Sequence, residues 1–265
     1  MVDPTAAKAF LFDVDKTLTN SSRECTPATQ AAIKKLRSLE KKVGVCTGRH
    51  YTTLHQEIFP LFEPTDLHVV SGGAQVIKTD GTVVWEQCIP RATVDQLLRS
   101  LDGRATRIYV QEGASIYGNA QAIAEWKIVI GAKHQLHIKP LSELPAVDIP
   151  IIVVHEIDET VFNSILEHPD LNAKYMQNYT GHYYADITAA GVSKQTGVRE
   201  WCLRQNISPE DVVGFGDSAN DIEFLSLVGY GVAMGNATED VKKIAQEVTL
   251  TLDEDGIAAW VNAHF

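Results

Sequence analysis

Paired cysteines, basic stretches and long apolar runs are all missing from this chain, and each absence removes a class of protein. The four cysteines, Cys25, Cys46, Cys88 and Cys202, are scattered, with no Cys-x-x-Cys spacing for zinc or redox chemistry. Reduced, structural thiols in a cytoplasm are the expectation, with Cys46 in a strand core. Only 23 Lys and Arg stand against 34 Asp and Glu, a formal charge of −11. That balance argues against nucleic acid, whose phosphates need clustered cations, and no basic amphipathic stretch suggests a membrane surface. The longest apolar runs, such as Ile149 to Val154, are far too short to span a bilayer. Met1-Val2-Asp3-Pro4-Thr5 has neither the cationic start nor the apolar core of a signal peptide. No internal repeat or low-complexity segment stands out. What remains is 265 residues, 45% hydrophobic and 22% charged, ordinary for a globular protein of one large or two modest domains.

The chain is organised around Ala9-Phe10-Leu11-Phe12-Asp13-Val14-Asp15-Lys16-Thr17. A short apolar run fits a buried parallel strand, and the two aspartates then fall at its carboxyl end, the edge where open α/β sheets bind ligands. Further runs follow the same pattern. Val43–Cys46 ends at Thr47-Gly48-Arg49-His50, and Leu67–Val70 closes at Ser71-Gly72-Gly73. Thr26-Pro27 opens a helix with Ile33 and Leu36 on its apolar face, and a second helix-like segment runs through Leu54 and Ile58 to Pro60. This alternation predicts right-handed βαβ units in a doubly wound parallel sheet. Thr79-Asp80-Gly81 then marks a hairpin between Gln75–Lys78 and Thr82–Trp85.

Beyond Pro90 the rhythm changes. Helices around Val94–Leu101 and Thr160–Glu167 interleave with strands near Arg107–Gln111, Ile149–His155, Tyr175–Asn178 and Tyr183–Thr188. The pattern predicts an inserted α+β module at residues 87–187, leaving 1–86 and 188–265 as one core. The earlier rhythm resumes with a helix that Ser193 could cap. Strands Val212–Phe215, ending at Gly216-Asp217-Ser218-Ala219-Asn220-Asp221, and Tyr230–Met234 follow, with a helix after Asn236.

Asp13, Asp15, Asp217 and Asp221 would bring four carboxylates to one edge. Each alone fits a solvated turn or a helix first-turn carboxylate, worth about 0.3–1 kcal/mol. Together they call for a counter-charge, and an all-oxygen set suits Mg²⁺ rather than zinc. Thr47-Gly48 offers a hydroxyl and an open backbone N–H at a helix start, equally an anion cradle or an ordinary cap. Lys194 opens a predicted helix, where a cation is unfavourable unless a bound anion such as a phosphoryl group neutralises it; a lone surface lysine is otherwise simply solvated.

Asp13-Val14-Asp15-Lys16-Thr17, Thr47-Gly48-Arg49, Lys194 and Gly216–Asp221 resemble the four motifs of the haloacid dehalogenase superfamily of phosphotransferases. The insertion before the lysine resembles the Cof-type branch, with a large α+β cap on a Rossmann-like core, and the resemblance covers essentially the whole chain. It implies that Asp13 is the nucleophile, forming an aspartyl-phosphate, and that Asp15 is the acid and then the base. Asp13 would stay ionised while Asp15 holds a proton near neutral pH. Mg²⁺ would be held by Asp13, the Asp15 carbonyl, Asp217 and Asp221. Thr47, Gly48 and Lys194 would bind the phosphoryl group, with Asn220 orienting Lys194 or the phosphate. The chain departs from the branch at Lys16, where Gly is common, and at Ser71-Gly72-Gly73-Ala74, where Asn-Gly-Ala is more usual. Lys16 is expected to point to solvent.

Substrate contacts are expected among Arg49, His50, Gly72 and Gly73 of the core and His155, His182 and Tyr183 of the cap, each of which fits a packed structural role as well. The mildly basic stretch Lys127, Lys133, His134, His137 and Lys139 reads as a solvated face. These residues imply a Mg²⁺-dependent phosphatase of small phosphorylated metabolites, sugar phosphates first. A phosphomutase of the phosphomannomutase type is the alternative, although its second motif usually resembles Gly-Gly-Ser rather than Thr47-Gly48-Arg49. A non-catalytic phospho-metabolite-binding module is a third reading, but degraded relatives usually lose an aspartate or the lysine, and all are present here.

Overall fold

A computed structural model describes residues 3–129, 137–177 and 183–265; His182, Lys133 and His134 lie outside them. Ala9–Phe12 is buried along its whole length and forms the middle of a parallel sheet. Val212–Gly216 pairs on one side and Lys42–Val45 on the other, with Tyr230–Ala233 and Glu247–Val248 beyond the former. Leu67–Val70 extends the Lys42–Val45 side through a parallel bridge between Cys46 and Val69. Numbered along the chain, the strands lie 3-2-1-4-5-6, so the order reverses between Ala9–Phe12 and Val212–Gly216. A crevice for ligand opens at such a switch point.

Period-two alternation assigns the faces. Leu11 is in register with Gly44 and Gly214, and that face meets Trp201 and Phe224 from helices Lys194–Gln205 and Ile222–Leu227. Phe12 stacks on Phe215 at 5.1 Å on the other face, against Trp260 of helix Gly256–His264. Helices therefore cover both faces, as a sheet buried on both sides requires. Thr26 caps helix Pro27–Ser38, accepting the Thr29 N–H, with Ile33 and Leu36 buried.

A second sheet of six strands follows the order Leu171–Gln177, Tyr183–Ala189, Ile151–Ile157, Ala105–Glu112, Ser115–Gly118, Ile138–Pro140. Helices Arg91–Leu101, Ala120–Val129 and Glu159–Leu166 accompany it. It has its own apolar cluster, including Val94, Leu101, Val110, Ile152, Ala185 and Ile187.

Several expectations need correction. The hairpin forms, with its second strand at Val83–Glu86 and a bulge at Val76/Ile77. The helix through Leu54 and Ile58 stops at Leu54, and a short turn, Phe59–Leu61, carries Pro60, which cannot donate to a continuing helix. Ser193 sits at the start of its helix without capping it, because its hydroxyl bonds Glu223 instead. The edge strand begins at Leu171 rather than Tyr175, and Ser115–Gly118, Ala120–Val129 and Ile138–Pro140 carried too little periodicity to be read.

Candidate active site

The sheet delivers the site residues as extensions of its strands. Asp13 continues the central strand, its N–H donating to the Phe215 carbonyl at 2.9 Å. The chain then turns sharply through Val14–Leu18, with Lys16 in the left-handed region at φ +64°. That conformation costs a side-chain-bearing residue about 1–2 kcal/mol, which explains why glycine suits the position. Lys16 is half-buried rather than solvent-directed, and its charge reaches Asp217. Thr17 donates to Asp217 Oδ1 at 3.2 Å, and Asp217 follows directly from Val212–Gly216. Asp221 folds back, one carboxylate oxygen accepting the N–H groups of Asp217 and Ser218, both at 3.0 Å.

Lys194 closes the arrangement. Its Nζ donates to Asp13 Oδ1 and Asp221 Oδ1, each at 2.6 Å, and the side chain is 2% exposed. Burial works against its charge, but Asp13 and Asp221 outweigh it and hold the ammonium well above its usual range. One lysine is too little for three carboxylates. Burial pushes Asp13 up to about 7, with Asp221 adding to the rise and Lys194 opposing it. Burial and then the charges of Asp13 and Asp221 push Asp217 well up. Oxygens of Asp13, Asp217 and Asp221 lie within 4.8 Å of one another, so this buried triad is shaped to hold a metal ion. Its all-oxygen donors and surplus negative charge fit a hard divalent cation.

Asp15 departs from the expected division of protons. Arg49 grips it with two bonds, Nε to Oδ2 at 2.8 Å and Nη2 to Oδ1 at 2.6 Å, and also reaches Glu57 at 3.2 Å. Burial alone would raise the Asp15 carboxyl, but Arg49, with Arg23 and Lys194 adding, brings it below the usual carboxylate range. The order of the two aspartates in this arrangement is thus the reverse of that expected, because Arg49 binds Asp15 instead of facing substrate.

The remaining expectations divide. Thr47 is buried, its hydroxyl accepting the Arg49 N–H at 3.1 Å. The helix after it begins only at Tyr51 with His50 as its cap, so Thr47-Gly48 lies on a loop and not at a helix start. His50 is 2% exposed, occupied by that cap, and pushed by burial down to about 4, a packed role rather than a substrate contact. Gly73, at φ +98°, packs on the start of helix Lys194–Gln205, where a Cβ would lie 1.9 Å from the Ser193 carbonyl oxygen. Gly72, Lys194 and Asn220 line a small open recess. His155 stacks on Tyr184 at 5.5 Å and belongs to an aromatic cluster with Tyr109. Tyr183 pairs with Gln177 in the strand ladder.

Residues not expected at the site complete the recess: Asn172, Lys174, Asp186 and Thr188 from the six-stranded sheet, and Val192 after it. The signal was alternation. In Tyr183–Ala189 the apolar Ala185 and Ile187 enter the second core, which leaves Tyr184, Asp186 and Thr188 on the opposite face.

The chain matches the haloacid dehalogenase-like hydrolase family over residues 10–261. It belongs to that family. Over 281 residues it is 26% identical to phosphatase YwpJ of Bacillus subtilis, covering 95% of this chain and 97% of that relative. Pyridoxal phosphate phosphatase YbhA of Escherichia coli is also 26% identical, over 97% of this chain and 98% of its own. Among solved structures, the haloalkanoate-superfamily phosphatase BT1666 of Bacteroides thetaiotaomicron superposes with a TM-score of 0.80 at 25% identity, covering 98% and 96% of the two chains. The subclass IIB sugar phosphatase BT4131 gives 0.79 at 25% identity over 97% and 98%. This member of the haloacid dehalogenase-like family is an enzyme, a phosphatase. Among the described residues no helix is long and apolar enough to cross a membrane.

Proposed function

We propose that the chain is a cytoplasmic, Mg²⁺-dependent phosphomonoester hydrolase of small phosphorylated metabolites, sugar phosphates foremost, working through an aspartyl-phosphate. The observation that carries the reading is Lys194 bound to both Asp13 and Asp221 at 2.6 Å beside Asp217. A lysine there neutralises charge on the nucleophile in the free enzyme and on a phosphoryl group when one is bound. Asp13, Asp217, Asp221 and the Asp15 carbonyl would hold Mg²⁺, which when bound neutralises phosphoryl charge.

Asp13 Oδ attacks phosphorus, and the ester P–O bond breaks as Asp15 gives its proton to the departing alkoxide. Water then attacks the aspartyl-phosphate and loses its proton to Asp15, releasing phosphate and restoring Asp13. The Arg49-bound, ionised Asp15 suits the second step; delivering a proton in the first requires that pair to open. Thr47, Gly48 and Lys194 bind the phosphoryl oxygens, and Asn220 orients them. Residues 87–187 act as a cap that excludes water and selects the leaving group.

Phosphate release from sugar phosphates and other phosphomonoesters, with and without Mg²⁺, tests this. Mg²⁺-dependent release that disappears in Asp13→Asn supports it. Release surviving that substitution would mean another nucleophile. Silence with every ester, followed by isomerisation of a sugar phosphate on adding a bisphosphate, would make the chain a mutase.

A further inference from the structure

Asp186 is buried, 8% exposed, and its carboxylate makes no hydrogen bond with any described residue. A carboxylate that keeps so little water at the wall of a recess and gains no partner in exchange is costly. Its position explains what it waits for. Asp186 Oδ2 lies over Gly48, where a Cβ would sit only 2.6 Å away, so the oxygen overhangs the Thr47-Gly48 loop from the cap side. It lines the recess with Lys194 and Asn220 from below and Asn172 and Thr188 beside it. Lys174 is its register partner across the strand pair and the obvious cation to neutralise it. That ammonium is taken instead by Glu223 of the core.

We propose that Asp186 is the specificity-determining acceptor for a hydroxyl of the leaving group, on the carbon chain next to the phosphoester. This rests on the phosphatase reading above and deepens it: the preferred ester carries a neutral, hydroxyl-bearing alcohol. A hydroxyl satisfies the carboxylate with a charge-assisted bond. An alkyl leaving group would bury it still unpaired, and an anionic one would meet a like charge. Asn172 and Thr188, on the adjoining positions of the two strands, supply further polar contacts for the same alcohol.

The test compares glycerol 1-phosphate and ribose 5-phosphate with n-propyl phosphate and p-nitrophenyl phosphate, using wild type, Asp186→Ala and the near-isosteric Asp186→Asn. Asp186→Ala should lower kcat/KM for the better hydroxyl-bearing ester by about tenfold to a hundredfold, the worth of a hydrogen bond to a charged group. The two hydroxyl-free esters should be hardly affected, and Asn, which keeps one acceptor oxygen, should fall between. Both variants should melt no lower than wild type, because removing an unpartnered buried charge does not weaken the fold. Equal losses on all four esters, or a melting point that drops in both variants, would assign Asp186 a structural role and overturn the proposal. Unchanged selectivity would overturn it too. If wild type releases phosphate from none of the esters, the phosphatase reading itself falls, an outcome separate from any of these.

Discussion

The edge of the parallel sheet and the cap face above it treat buried charge in opposite ways. On the sheet edge the carboxylates are bonded: Asp13 and Asp221 to Lys194, Asp15 to Arg49, Asp221 also to two backbone N–H groups, and Asp217 to the Thr17 hydroxyl. On the cap face Asp186 has no such partner among the described residues, although Lys174 stands opposite it in the ladder. Chemistry shared by every phosphate ester can be built from fixed backbone and closed ion pairs. Discrimination among alcohols needs a group left unsatisfied until the right one arrives.

The hardest blow to the edge is Lys194→Met. It leaves Asp13 and Asp221 buried without their cation, and stability at neutral pH should fall by about 3–5 kcal/mol. Mg²⁺ should restore part of it, so urea unfolding with and without the ion reads both halves of the prediction. Gly73→Ala attacks the same edge through the backbone. With φ at +98° and the Ser193 carbonyl 1.9 Å from the new Cβ, the helix carrying Lys194 must shift, at a cost of about 3 kcal/mol or more in the same experiment.

The cap face should respond with the opposite sign. Burial, opposed by Lys194 and aided by Asp15, pushes Asp186 up to about 7, so the folded state holds its proton where the unfolded chain has released it. Folded protein therefore binds more protons, and this residue's contribution to stability declines as pH rises from about 4 towards 7. Asp186→Asn removes that dependence. Its melting point relative to wild type should climb over this window and level off above it, by the equivalent of about 1–3 kcal/mol. A flat difference would mean the carboxylate has found a partner.

Arg49→Met sharpens the comparison within the edge. Without the guanidinium the Asp15 carboxyl rises, and the alkaline limb of the pH–rate profile should move up by about one unit. The smallest effect is expected where cap meets core. Lys174 and Glu223 are both part-exposed, so Lys174→Ala should change stability by less than about 1 kcal/mol and do so less in high salt.

Much of the edge was legible because it is local. Ala9–Phe12, Lys42–Val45 and Val212–Gly216 are short apolar runs, and whatever polar residue follows such a run lands at the strand's carboxyl end. Asp13, Asp15, Thr47, Asp217 and Asp221 could be placed from that alone, with Lys194 singled out by its place at a helix start, and the family resemblance then added their roles. Illegible was the pairing. Thr17 with Asp217 and Arg49 with Asp15 depend on how far each loop folds over the next. His50 was misplaced for the same reason: a helix starting at Tyr51 turns its ring into a cap.

By itself, then, the amino-acid order determined which residues stand at the strand ends, since strand period and chain succession are near-neighbour properties. The partners of those residues were decided only in three dimensions. Asp186 reaches Gly48 because alternation in Tyr183–Ala189 commits Ala185 and Ile187 to one core and turns the carboxylate to the other side. Docking of the six-stranded sheet over the switch point then brings it down on the loop. The alternation is written in the residues around position 186, but the docking is not, because burial and charge compensation depend on contacts between segments far apart in the chain.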